Sequence, residues 1–141
     1  MRYFLRSTIL LFLLTPTYGH SQMIDIQLIF NDKVATATLE NNPTTQSMIQ
    51  QLPITLQFND YANTEKTTSF PNKLSRKSAP EGYKPSIGDI TSYGPWGNLA
   101  IFYQPFSYSR GLIYMGKFTS GFEDFANQKQ SFEVTIQLLQ K

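Results

Sequence analysis

The chain has 141 residues, 40% of them hydrophobic and 14% aromatic, which is enough apolar material for the core of one domain. It holds no cysteine and one histidine, His20, so disulfides, thiol catalysis and ordinary zinc sites are excluded. The formal charge is +2, a surplus matched by Arg2 and Arg6 near the N-terminus.

Residues 1–21 read as a secretory signal peptide. Arg2 and Arg6 flank Tyr3-Phe4-Leu5, the apolar run Ile9 to Leu14 follows, and Thr17, Gly19 and Ser21 offer small residues for cleavage. The apolar run falls well short of the roughly 20 residues that span a bilayer, and no cysteine is present to carry lipid, so no stable membrane anchor is expected after removal. The domain is then residues 22–141, periplasmic or secreted; translation from Met23 would instead leave it cytoplasmic. Without Arg2 and Arg6, ten Lys and Arg balance ten Asp and Glu. A neutral domain makes nucleic acid an unexpected partner, and Lys73, Arg76 and Lys77 are too few to build a basic face. His20 lies beside the cleavage positions, so the domain also lacks an imidazole for Ser-His-Asp or other histidine-based catalysis.

From Ile24 the apolar period is two. Ile24, Ile26, Leu28 and Phe30 alternate with Asp25, Gln27 and Ile29; Asn31-Asp32 signals a turn; Val34 to Leu39 returns, predicting a hairpin. Asn42 as cap, Pro43 at the first helical position, and Met48, Ile49 and Leu52 on one face predict a helix over 43–52, stopped by Pro53. Ile54, Leu56 and Phe58 form a strand running into Asn59 to Asn63, and Glu65 to Phe70 continues the sheet after a bend. The apolar period vanishes from Pro71 to Pro85, predicting an irregular surface loop. Gly88 to Tyr93 is a strand, Gly94 to Asn98 a turn, and Leu99 to Tyr103 a strand buried on both faces. Pro105 to Arg110 is a loop, Leu112 to Phe118 a strand, Phe122 to Asn127 a short helix, and Phe132 to Leu138 a closing strand. Many short antiparallel strands with two short helices argue for a mainly β, closed barrel whose ends the helices cover.

The run Gly88 to Tyr103 resembles the pair of cyclophilin strands that carries part of the proline-binding groove, and Met115 to Phe125 resembles the strand, Gly-Lys turn and helix that follow. More closely, Ile24 to Leu139 is similar to the bacterial cyclophilin-like domain family, stand-alone proteins marked here by Asp60 to Lys66, Gly88-Asp89, Pro95 to Asn98 and Tyr108 to Leu112. The resemblance implies a closed cyclophilin-like β-barrel and no particular activity. It sets Ala100 where cyclophilins use a glutamine and Phe102 at a groove phenylalanine, with no histidine near Leu112 and no arginine between Phe58 and Tyr61. Only the apolar part of an isomerase site is retained. Lowering the roughly 18–20 kcal/mol barrier of peptide rotation requires a donor for the twisted amide, and Arg110 is the substitute on offer.

The expected function is therefore a peptide or small-ligand binding module with an aromatic groove at Trp96, Asn98, Phe102, Phe106, Tyr108 and Arg110, which Tyr93 and Tyr103 would extend. A prolyl cis-trans isomerase or folding helper with a rearranged site is the alternative. Asp60 and Glu65 allow a third reading: if the chain bends between them, two carboxylates about 10 Å apart or less would suit acid-base hydrolysis or a hard cation. The plainer account is a turn-stabilising Asp60 and a solvated Glu65-Lys66 pair, with Arg110 in an ion pair to Asp60 or Glu65. No cofactor or metal is called for by these residues. Expression in a secreting host should give a mature chain that starts just after Thr17, Gly19 or Ser21; N-terminal sequencing that finds an uncleaved chain, or one starting at Met23 in the cytoplasm, would overturn the export expectation.

Overall fold

A computed structural model describes residues 13–14 and 22–140, so the expected signal peptide and its expected cleavage positions lie outside the described residues apart from Leu13 and Leu14. Strands β1 (Ile24–Phe30) and β2 (Lys33–Leu39) form the expected hairpin. Its linking residues Asn31 and Asp32 have φ of 47° and 59°. A two-residue turn that matches strand twist needs both angles in the left-handed region, which these two residue types tolerate. Helix α1 (Pro43–Ile49) follows, its first turn capped by Asn42, whose Oδ1 accepts from the Thr45 backbone N–H at 2.8 Å. It ends earlier than Leu52: Gln51 and Leu52 close a turn on the Met48 and Ile49 carbonyls, ahead of Pro53, which disfavours helical angles at the residue before it.

The remaining elements are β3 (Ile54–Tyr61), β4 (Glu65–Thr68), β5 (Gly82–Tyr83), β6 (Asp89–Tyr93), β7 (Leu99–Phe102), β8 (Ser109–Arg110), β9 (Leu112–Ser120), α2 (Phe122–Ala126) and β10 (Phe132–Leu138). Eight of the strands close an antiparallel barrel in the order β1-β10-β3-β4-β7-β6-β9-β2. The closing strand lies between β1 and β3, so the sheet has no free edge. Gly116 on β9 lets β2 come close: a Cβ there would stand 2.1 Å from the Thr38 carbonyl oxygen.

Inward positions fill the barrel with Ile26, Leu28, Phe30, Phe58, Ile90, Ile101, Met115, Val134 and Ile136, all buried. Helix α1 follows the C-terminal end of β2 and α2 that of β9; since β2 and β9 are antiparallel, the helices stand at opposite ends. Each drops one large side chain into the core, Met48 from α1 and Phe125 from α2. Phe125 meets Phe30, Phe58 and Phe132 edge-on, with ring centroids 5.4, 5.4 and 5.2 Å away.

Strand β7 is buried on both faces, as expected, because a second layer covers its outer side. Residues 71–85 are more than a surface loop: Leu74 is buried in the core and tied by its N–H to the Gly97 carbonyl, and β5 pairs with β8 in a separate ribbon. A single apolar residue and a two-residue strand leave no period in the sequence to find. The loop expected over 105–110 likewise ends in β8. No helix among the described residues is long and apolar enough to cross a membrane.

Phe125→Ala should destabilise the protein by about 3–5 kcal/mol, because it removes both the buried ring and its edge-on contacts. Urea unfolding measures the loss; a cost below about 1 kcal/mol would show that α2 does not close the barrel end.

Candidate functional site

Strand register sorts the side chains of β3, β4 and β7 onto two faces. Asp60, Lys66 and Ile101 lie opposite one another in one row, and Ile101 belongs to the barrel core, so this row faces inward. Tyr61, Glu65 and Phe102 form the next row, which therefore faces outward. Phe102 packs there with Ala100 and Leu112 in a small second cluster, flanked by Tyr83 and Tyr93. Tyr83 is held by Asp89, whose Oδ2 accepts from the tyrosine hydroxyl at 2.7 Å and from the Ser86 N–H at 2.8 Å. Burial first, and then this bond to a carboxylate, push the Tyr83 hydroxyl well above the usual tyrosine range.

Above this floor stand two aromatic walls. The Trp96 ring, carried on the turn between β6 and β7, is edge-on to Tyr61 at 6.0 Å and to Tyr93 at 5.2 Å. The Phe106 ring leans on Phe102 at 5.7 Å. With Glu65, Ser109 and Leu112 these five rings line a hollow of about 250 Å³ on the outer wall of the barrel. Trp96 remains 53% exposed and Phe106 46%, so neither indole nor phenyl is consumed by core packing.

Glu65 is the one ionisable carboxylate of the lining, and no cationic side chain accompanies it. Its side chain is half-buried and makes no hydrogen bond or ion pair within the described residues. Burial raises its carboxyl above the ordinary value.

Asp60 does something different. It accepts from the Tyr103 hydroxyl, from the Asn63 N–H at 3.0 Å and from Lys66 Nζ at 3.3 Å. Lys66 is buried, donates also to the Gln128 carbonyl at 2.5 Å, and lies 5.0 Å from the Tyr103 ring centroid. Burial alone would raise the Asp60 carboxyl, but the bonds from Tyr103, Asn63 and Lys66 and the Lys66 charge outweigh it and hold the carboxyl low. Tyr103, its hydroxyl partly desolvated and bonded to that carboxylate, is pushed up to about 12. The cluster is a plug at the α2 end of the barrel. Asp60 is the turn-stabilising residue of the plainer account, whereas Lys66 pairs with Asp60 inside the mouth and not with Glu65 in solvent. Asp60 and Glu65 belong to opposite faces of the sheet, so the shared cleft that acid-base hydrolysis requires does not form. Among the described residues no group of three or more metal-ligating side chains comes together.

Of the residues expected in the groove, Trp96, Phe102 and Phe106 line it, as does Tyr93, and Glu65 of the candidate carboxylate pair joins them. Asn98, Tyr108, Arg110, Asp60 and Tyr103 do not. Asn98 is buried and accepts the Tyr93 N–H at 3.1 Å, bracing the turn that presents Trp96. Tyr108 covers Gly82, where a Cβ would stand 2.8 Å from the tyrosine Cζ. Arg110 pairs with Glu81 at 2.8 Å, both side chains exposed, in place of the expected Asp60 or Glu65. Tyr61, Ser109 and Leu112 complete the lining without having been singled out. Tyr61 carries the signal: one residue past the inward series Ile54, Leu56, Phe58, Asp60, it must point outward.

The two carboxylates should move stability in opposite directions. The lowered Asp60 value contributes stability that is present above the unfolded value of about 3.9 and lost as pH falls through the folded one, so Asp60→Asn is less stable than the parent at neutral pH. The raised Glu65 value makes ionisation a cost that sets in above about pH 4.3, so Glu65→Gln is more stable at neutral pH and equal to the parent in acid. Melting temperatures from acid to neutral pH check both; a Glu65→Gln variant no more stable than the parent at pH 7 would contradict the unpartnered carboxylate.

Comparison with known proteins places this architecture. The solution structure of a hypothetical protein from Archaeoglobus fulgidus superposes with a TM-score of 0.70 over 86% of this chain and 99% of that one, at 11% sequence identity, a likeness of fold alone. No curated protein matches the sequence. The model of the cyclophilin-like family matches residues 28–137, from within β1 to within β10, and so takes in the barrel and its groove. The chain belongs to the cyclophilin-like family.

Proposed function

We propose that the protein is a binding module that seats one side chain of an extended peptide in the outer-wall groove. The observation that carries this reading is the hollow itself, open and aromatic, with Trp96 and Phe106 left half-exposed above a buried floor of Ala100, Phe102 and Leu112. Its volume of about 250 Å³ lies below the roughly 300–1,000 Å³ of sites that enclose a whole small ligand, which favours a side chain over a cofactor or drug-sized molecule. The prolyl isomerase alternative has less support. Arg110 is engaged with Glu81 outside the lining, and the Ser109 hydroxyl is given to the Ser107 carbonyl at 3.2 Å, so no cationic donor for a twisted amide stands in the groove wall. The leader-like residues 1–21 support placing this activity outside the cytoplasm.

Trp96 is the sole tryptophan, so the groove contains its own fluorescent reporter. Titration with short peptides that differ only in the central residue should give a saturable change in emission for at least one of them. Phe106→Ala, at an exposed position, should weaken that binding roughly tenfold while leaving the urea midpoint near that of the parent. A panel in which no peptide saturates in the millimolar range, or a Phe106→Ala variant that binds unchanged, would sink the proposal.

A further inference from the structure

We propose that the side chain the groove takes is an arginine, its guanidinium paired with Glu65 between the Tyr61–Trp96 and Phe102–Phe106 ring pairs. The inference rests on the groove-binding reading above and names its ligand.

The cross-strand row places Glu65 between its neighbours Tyr61 on β3 and Phe102 on β7. Trp96 extends the first wall and Phe106 the second, so the carboxylate is flanked by aromatic rings on both sides. Among the described residues no cation pairs with it: the buried Lys66 belongs to the opposite face and is committed to Asp60. A neutral occupant would strip the remaining water from Glu65 and return nothing, at the cost that attends any unpaired buried charge. An occupant that brings a positive charge replaces that water with an ion pair.

Arginine suits this site better than lysine. A planar guanidinium meets a carboxylate through two parallel hydrogen bonds, and its faces stack on aromatic rings. It is more weakly hydrated than an ammonium, so it loses less on entering a lining whose other members are five rings, Leu112 and one serine hydroxyl already in use. The apolar stem of the side chain would lie along the Phe102 and Leu112 floor.

The experiment follows Trp96 emission with four peptides identical except at the centre, which is arginine, citrulline, lysine or leucine. Arginine should bind about tenfold or more tightly than citrulline, its neutral isostere, and several-fold more tightly than lysine. Glu65→Gln should weaken the arginine peptide by about tenfold and leave the citrulline peptide within about twofold. The variant should fold without difficulty, since removal of the charge relieves a cost. Citrulline or leucine binding as tightly as arginine, or an arginine preference that survives Glu65→Gln, would overturn the ligand assignment while the groove-binding reading stood. Lysine equal to arginine would overturn the guanidinium. Silence from all four peptides would overturn the arginine assignment, and the groove-binding reading would fall with it only if the wider panel of central residues were silent too.

Discussion

Closure of the sheet is the constraint on which the rest of this molecule depends. Once eight strands pair in a ring, each residue has one neighbour on either side and one of two faces, and a shift of one position anywhere would turn a whole strand inside out. The apolar series of β1, β3 and β10 sets the parity, because Ile26, Leu28, Phe58, Val134 and Ile136 have no other place to go. The interior is then full. Helices shut both ends, and any ligand chemistry has to be built on the outside of the wall.

An outer wall is normally wet, and here three devices make part of it dry. Segment 71–87 wraps the barrel, with Leu74 anchored in the core. The β5–β8 ribbon lies over β9, and Asp89 pins Tyr83 to the end of β6. The turn 94–98, braced by Asn98, raises Trp96 above the sheet. Together they create a second small core under the groove, so the rings that line it rest on buried neighbours.

Most of the barrel was legible in the sequence because strands with one dry and one wet face write a period of two. The segments 24–30 and 132–138 show it plainly, and the uninterrupted apolar run of β7 correctly marks a strand buried on both sides. The ribbon and Leu74 were not legible, since two paired residues or one anchoring side chain have no period. The groove was half legible. Trp96 and Phe106 stand out as large aromatics in loops, but whether Asp60 and Glu65 meet depends on how the turn at 62–64 brings β3 back beside β4. Tyr61 opposes Glu65 and Lys66 opposes Asp60, a register that only the assembled sheet reveals. Arg110 carried no periodic signal at all; an exposed charge settles on whichever opposite charge the loops bring near, here Glu81.

The position of the hollow on the wall, with a packed lumen behind it, has a kinetic consequence. A visitor reaches Trp96 and Glu65 straight from solvent, without any parting of strands or lifting of the helical plugs. On the proposed binding reading, capture would be limited by encounter and orientation, and the time a guest stays would be set by the groove lining. Under that reading, substitutions in the lining would change residence while the phenylalanine cluster behind it continues to hold the barrel shut.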